Sequence, residues 1–191
     1  MFTRLYVPTL FVTLIALAMA TSAQAPAGES FCGRTYPRPP AIEPGDGIGP
    51  LRLRSSMIEL RRSCPGAIDT GSFLDAGFYV RAFGSRIEVL GDQPVLGDSA
   101  DRVVRLIRVS GGTGIRAADG IGPGSTIGDA KRAWGELQVV GCSAQVTYAY
   151  PARRSGVGLR FTQAQAGICE DASAYPESLT IRAVEIFTPV D

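Results

Sequence analysis

Six short stretches of the chain place apolar residues on a period of two, the spacing of a strand with one face buried. They run over 77–83 (GFYVRAF), 85–91 (SRIEVLG), 102–110 (RVVRLIRVS), 144–150 (AQVTYAY), 156–161 (GVGLRF) and 179–187 (LTIRAVEIF). Val104 and Leu106 alternate against Arg105 in the third, and Val157, Leu159 and Phe161 share a face in the fifth. Phe83-Gly84-Ser85 and the PARRSG stretch at 151–156 supply the hairpin connections.

Two other stretches carry the marks of a helix start. Residues 55–62 read SSMIELRR and residues 125–132 read STIGDAKR, so hydroxyl, hydroxyl, apolar, any, acid, apolar, base, arginine recurs over both. Ser56 with Glu59 and Thr126 with Asp129 have the spacing of a capping box. The acids fall in the first turn, and the basic residues follow where the helix dipole favours them. Pro65-Gly66 and Gly135 end the two helices early. The pentapeptide DGIGP precedes each helix, at 46–50 and again at 119–123. Helices this short need a sheet to pack on, and the strands that follow each one supply it.

The pattern predicts an α+β fold of two tandem modules, each a short helix followed by a three- to four-stranded antiparallel sheet. The modules are placed at 45–117 and 118–191, and either one continuous sheet or two lobes satisfies the spacing. A Pro- and Gly-rich leader with little regular structure is expected at 26–44. Residues 1–25 read as a secretory signal peptide: one early charge at Arg4, an apolar stretch from Leu10 to Ala20, then small residues. That stretch falls short of the roughly 20 residues a membrane span needs.

Export changes the meaning of the cysteines. Cys32, Cys64, Cys142 and Cys169 make an even set, which in an oxidising compartment implies two disulfides. Three connectivities satisfy the spacing, and module membership favours Cys142 with Cys169 and Cys32 with Cys64. Loss of Arg4 with the signal leaves 18 basic and 18 acidic residues, so charge offers no attraction to nucleic acid or anionic membrane. Lys131 is the single lysine. The expected localisation is periplasmic or secreted.

The residue inventory narrows the chemistry. There is no histidine, which excludes Ser-His and Cys-His catalysis, and no CxxC pair points to a metal. No cofactor is expected. Ser125 and Lys131 lie six apart on a helix, near opposite faces, a poor arrangement for a Ser–Lys pair. GPGST at 122–126 lacks the Gly-Lys-Ser/Thr of a phosphate loop. Asp46 and Asp119 are read as turn formers, and Glu59 and Asp129 as caps. Trp134 aligns with Cys64 and is expected in the core. Tyr148 and Tyr150, on one strand face, with Arg153 and Arg154 in the turn that follows, are the candidate contact residues, since aromatics and arginine dominate binding hot spots.

A G-x-[ST]-x-x-[DE] lead-in to a stubby helix, followed by an antiparallel sheet and then repeated, resembles the tandem modules of secreted β-lactamase inhibitor proteins. It is similar also to the single module of the small lipoprotein of the outer-membrane barrel assembly machinery. The pairing of GIGPLRL and DGIGPGST with their helices resembles uncharacterised exported bacterial proteins. The resemblance spans about Gly45 to Phe187 and implies a binding or scaffold role. The aromatic-rich face of the inhibitors is not matched here, and no lipidation box precedes Cys32. The expected function is non-catalytic binding or inhibition of an envelope or extracellular protein. The alternatives are a small carboxylate-dependent hydrolase acting on envelope polymers and a protein that binds a small ligand between the modules.

Overall fold

A computed structural model describes residues 28–70, 77–91, 102–142, 146–161, 173 and 175–189. The expected signal segment at 1–25 and Cys169 lie outside the described residues.

The chain opens with a hairpin of β1 (Glu29–Phe31) and β2 (Arg34–Tyr36), then a small sheet of β3 (Ile42–Glu43), β4 (Gly47–Ile48) and β5 (Leu51–Arg52). Helix α1 (Met57–Ser63) follows, then β6 (Ile68–Asp69), β7 (Gly77–Ala82), β8 (Ser85–Gly91) and β9 (Val104–Ser110). Helix α2 (Ile127–Trp134) leads into β10 (Leu137–Cys142), β11 (Thr147–Pro151), β12 (Val157–Phe161) and β13 (Ile181–Phe187). Strands β6 to β13 form one antiparallel sheet of eight, in the order β10-β11-β12-β13-β9-β8-β7-β6.

This corrects the expected α+β class. The described residues are mostly β, and the strands belong to one large sheet rather than to two small sheets, each with its own helix. The physical cause is the pairing of β13 with β9, in register from Ala183 opposite Ser110 to Phe187 opposite Leu106. It joins the last strand of each half, and helices of seven and eight residues are too small to form a layer of their own. The leader expectation also changes. Residues 26–44 include β1, β2 and β3, because Cys32 and Gly33 both take positive φ, 46° and 73°, and close a two-residue hairpin of the type that matches strand twist.

Both helices start at the predicted N-caps, Ser56 and Thr126, but the cap of α1 is one-sided. Ser56 Oγ accepts from the Glu59 N–H at 3.0 Å. In α2 the box closes in both directions, Asp129 N–H to Thr126 Oγ1 at 3.1 Å and Thr126 N–H to Asp129 Oδ2 at 2.9 Å. Phe83 and Gly84, with φ of 51° and 70°, make the expected tight turn between β7 and β8. In β9 the buried residues are Val104, Ile107 and Val109, with Leu106 turned outward, so the alternation expected from Val104 and Leu106 holds for Val104 and breaks before Leu106. Strand β10, unforeseen in the sequence, has a register break between Val139 and Gly141.

One core cluster joins the inward sheet residues, among them Phe78, Ile87, Ile107, Val184 and Leu159, to Leu60 of α1 and to Ile127, Ala130 and Trp134 of α2. Trp134 is fully buried, as its alignment with Cys64 predicts. The β1–β2 hairpin docks through Phe31, Tyr36 and Phe83, whose rings meet at 6.0–6.4 Å, and through a Cys32–Cys64 disulfide. Cys142 is disulfide-bonded as well.

The two copies of DGIGP differ in backbone. In the first, Gly47 and Ile48 form β4 and Gly49 takes φ 54°; in the second, Gly120 takes φ 84° in a turn outside any strand. Both isoleucines, Ile48 and Ile121, are buried. A Cβ on Gly47 would sit 2.0 Å from the Leu51 carbonyl oxygen, so β5 folds back only against a glycine.

Two stability predictions follow from these contacts. Replacing Cys32 and Cys64 together by serine frees a 32-residue separation in the unfolded chain and is expected to lower unfolding free energy by about 2–5 kcal/mol in urea titration. The Asp129 carboxyl is held below its ordinary pKa by the Thr126 backbone N–H, then by the Thr126 hydroxyl. Its contribution to stability is present above the ordinary aspartate range and lost as pH falls through the lowered value. Asp129→Asn is therefore expected to flatten the loss of urea stability measured below about pH 4.

Candidate functional site

The sheet has an inward face, closed by the core, and an outward face whose residues follow from the register. Tyr79 of β7 is opposite Glu88 of β8, Glu88 is opposite Arg108 of β9, and Arg108 is opposite Glu185 of β13. Beyond Glu185 come Gly158 and Arg160 on β12, and Arg160 is opposite Tyr148 of β11. Side chains of opposite sign at facing positions attract, and here they join into a ladder across six strands.

The Arg86 guanidinium stacks 3.9 Å from the centre of the Tyr79 ring and reaches Glu88 at 2.8 Å. Arg108 lies between two acids, donating from Nη1 to Glu88 at 2.8 Å and from Nε to Glu185 at 2.7 Å. Arg160 approaches Glu185 at 3.5 Å, donates to the Tyr148 hydroxyl at 2.9 Å and stacks 4.8 Å from that ring's centre. The order is tyrosine, arginine, glutamate, arginine, glutamate, arginine, tyrosine. Glu185 is 7% exposed, and an acid buried this far needs partners of opposite charge. Burial works against the charge on Arg108, but Glu185 and Glu88 outweigh it and hold its pKa above the ordinary value.

A cleft of about 480 Å³ opens on this face beside the ladder, lined by Glu88, Arg108, Ser110, Arg160, Arg182 and Ala183. Its wall is arginine-rich, with carboxylates already engaged, and suits recognition of a charged or hydrogen-bonding group more than acid–base chemistry.

The candidate contact residues are divided by the fold. Tyr148 and Tyr150 share the outward face of β11, Tyr150 43% exposed and 5.0 Å from Phe187. Arg153 and Arg154 leave that face in the turn after β11. Arg154 folds back to Asp119 at 2.7 Å, beside the buried Trp134 ring. Arg153 lies along Gly135, where a Cβ would meet its Cγ at 2.8 Å. The ladder arginines and glutamates were missed in the sequence. Their signal was the RIE spacing at 86–88 and the placing of Arg108 and Glu185 each between two apolar residues, Ile107 and Val109 or Val184 and Ile186, which sets the charges on the face opposite the apolar ones.

Three further acids, Glu43, Asp46 and Asp119, make structural contacts. Asp46 and Glu43 both bind Arg52, at 2.8 and 2.6 Å, which lowers the Glu43 pKa against the opposing effect of burial. Asp119 accepts from the Trp134 indole at 2.6 Å as well as from Arg154. Glu59 and Asp129 stand in the first turns of their helices, as the capping pattern requires. In the 122–126 stretch, the Ser125 hydroxyl accepts from Arg116 at 2.8 Å and from the Gly122 N–H at 3.2 Å, so this loop closes on itself. Among the described residues, no group of three or more His, Cys, Asp and Glu side chains is placed to hold a metal, and no helix is long and apolar enough to cross a membrane. The Cys32–Cys64 bridge fits a non-reducing compartment.

Removing Arg108 would leave Glu88 and Glu185 facing each other without the cation between them. Arg108→Ala is expected to destabilise the fold by about 2–4 kcal/mol. Arg81→Ala, an exposed change on β7, is expected to stay within about 0.5 kcal/mol; chemical denaturation of both variants checks the contrast.

No family model matches this chain, and no curated protein matches it. Among solved structures it is similar to the uncharacterised protein yfeY from Escherichia coli, at 11% identity and a TM-score of 0.45, over 76% of this chain and 99% of that one. A likeness at that level carries no argument about function.

Proposed function

We propose that this is an exported, non-catalytic protein of the periplasm or extracellular space that binds another protein, in the manner of an inhibitor or scaffold, through the outward face of its sheet. The observation that carries this reading is the ladder from Tyr79 to Tyr148. It is a surface of tyrosine and arginine, the residue types that dominate hot spots, held rigid by its own ion pairs and by the paired backbone beneath it. Side chains already fixed in the free protein lose little freedom on binding, which favours affinity. Tyr150 extends the surface as an exposed aromatic beside Phe187. Asp46, Asp119, Asp129, Glu88 and Glu185, acids on which a carboxylate-dependent hydrolase would draw, are engaged in turns, a cap and the ladder.

The test is capture of a partner from envelope and secreted fractions by the mature, oxidised protein, followed by titration with the recovered partner. A saturable complex that Tyr148→Ala with Tyr150→Ala weakens about tenfold or more is expected. A complex untouched by those changes would remove the outward face from the reading.

A further inference from the structure

One arginine of the outward cleft stands apart from the ladder. Along β13, Ile181 and Val184 face the core, and Ala183, opposite Ser110 and Arg160, faces outward. Strict alternation would therefore send Arg182 into the core. The register prevents this: Arg160 is opposite Ala183 and Phe161 is opposite Ile181, so β13 carries one extra residue against β12, and that residue is Arg182. A bulge of this kind re-aims a side chain. Here it turns Arg182 out of the core to line the cleft with Arg108 and Arg160. Arg182 is exposed and, unlike its two neighbours, makes no ion pair among the described residues.

We infer that this cleft binds a carboxylate, presented by an acidic segment of the partner protein. The inference rests on the protein-binding reading and specifies the partner's chemistry. Charge decides the ligand's sign: four arginines, Arg86, Arg108, Arg160 and Arg182, meet two glutamates, Glu88 and Glu185, and of the four only Arg182 has no carboxylate contact among the described residues. Arg160 adds a partly engaged donor, since its contact with Glu185 is 3.5 Å. The planar guanidinium fork of Arg182 matches a carboxylate. The cleft lies on an open sheet face beside Tyr148, a place reached by a side chain projecting from a docked polypeptide. A free small anion is bound instead in enclosed sites.

The experiment titrates a fluorescein-labelled oligoglutamate peptide into the oxidised protein by anisotropy at about 0.15 M salt, where long-range attraction between exposed charges is largely screened. Arg182→Glu is expected to weaken binding about tenfold or more. Arg81→Glu, an equal charge change at an exposed site on β7, is expected to leave it within about twofold, and Arg182→Lys, which keeps charge but loses the fork, to fall between. No binding by the unaltered protein, equal losses in Arg182→Glu and Arg81→Glu, or displacement of the peptide by glutarate or inorganic phosphate at matched concentrations of anionic groups would each overturn the inference. The captured partner separates this failure from that of the broader reading. A partner that still binds Arg182→Glu at full strength but loses affinity with the tyrosine variants leaves protein binding intact and removes the carboxylate site.

Discussion

The register of β9 against β13 is the constraint on which the outward surface depends. Arg108 can bridge Glu88 and Glu185 only because β9 is opposed by β8 on one side and β13 on the other, with the three charged residues at facing positions. A slip of one residue in either pairing would turn Arg108 or a glutamate to the core. Both the apolar face and the charged face would then be lost together. The ion pairs and the hydrophobic core therefore select the same register, and each penalises the alternative that the other would forbid. That agreement between levels marks a sequence that specifies one structure.

Strands that follow local rules were legible in the sequence. Alternation in 77–91 and the Phe83-Gly84 turn are local signals, and β7 and β8 are found there. The caps at Ser56 and Thr126 depend on residues three apart, and both helices start there. The merging of the strands into one sheet was not legible, because the β9–β13 pairing joins residues about 75 positions apart and edge-to-edge joining leaves no mark in either strand's own pattern. Of the candidate contact residues, Tyr148 and Tyr150 were readable from period two, whereas Arg154 was drawn away by Asp119, an attraction between residues in different elements. The charged ladder was half legible: alternation set the charges outward, but only the strand order decides which charges become neighbours.

The repeated pentapeptide shows how far tertiary context governs local backbone. The two copies have the same five residues, yet one becomes a strand and the other a turn. What they share is the burial of the central isoleucine, and what differs is the chain that follows. After the first, Leu51-Arg52 returns as β5, and Arg52 clamps Asp46 from the neighbouring strand. After the second, Ser125 and Arg116 tie the loop, while Asp119 reaches the Trp134 indole. Glycine supplies the freedom to take either path at little steric cost; the hydrogen bonds of the aspartate decide between them.

An open antiparallel sheet presents two edges and two faces, and here three of these four surfaces are occupied or shortened. The inward face is core. Strand β6 is an edge only two residues long, and the β10 edge is broken by the irregularity between Val139 and Gly141, both devices that discourage pairing with another strand. The outward face could have been closed by apolar residues, but a broad exposed apolar sheet invites aggregation. Arginine and glutamate solve that problem while covering Ala183 and Glu185, which are 5% and 7% exposed. The cost is desolvation of the buried carboxylate, offset by Arg108 and Arg160 rather than by water. A surface organised in this way is rigid and chemically distinctive, and on the binding reading proposed above recognition is directed to side chains on the face rather than to backbone at the edge.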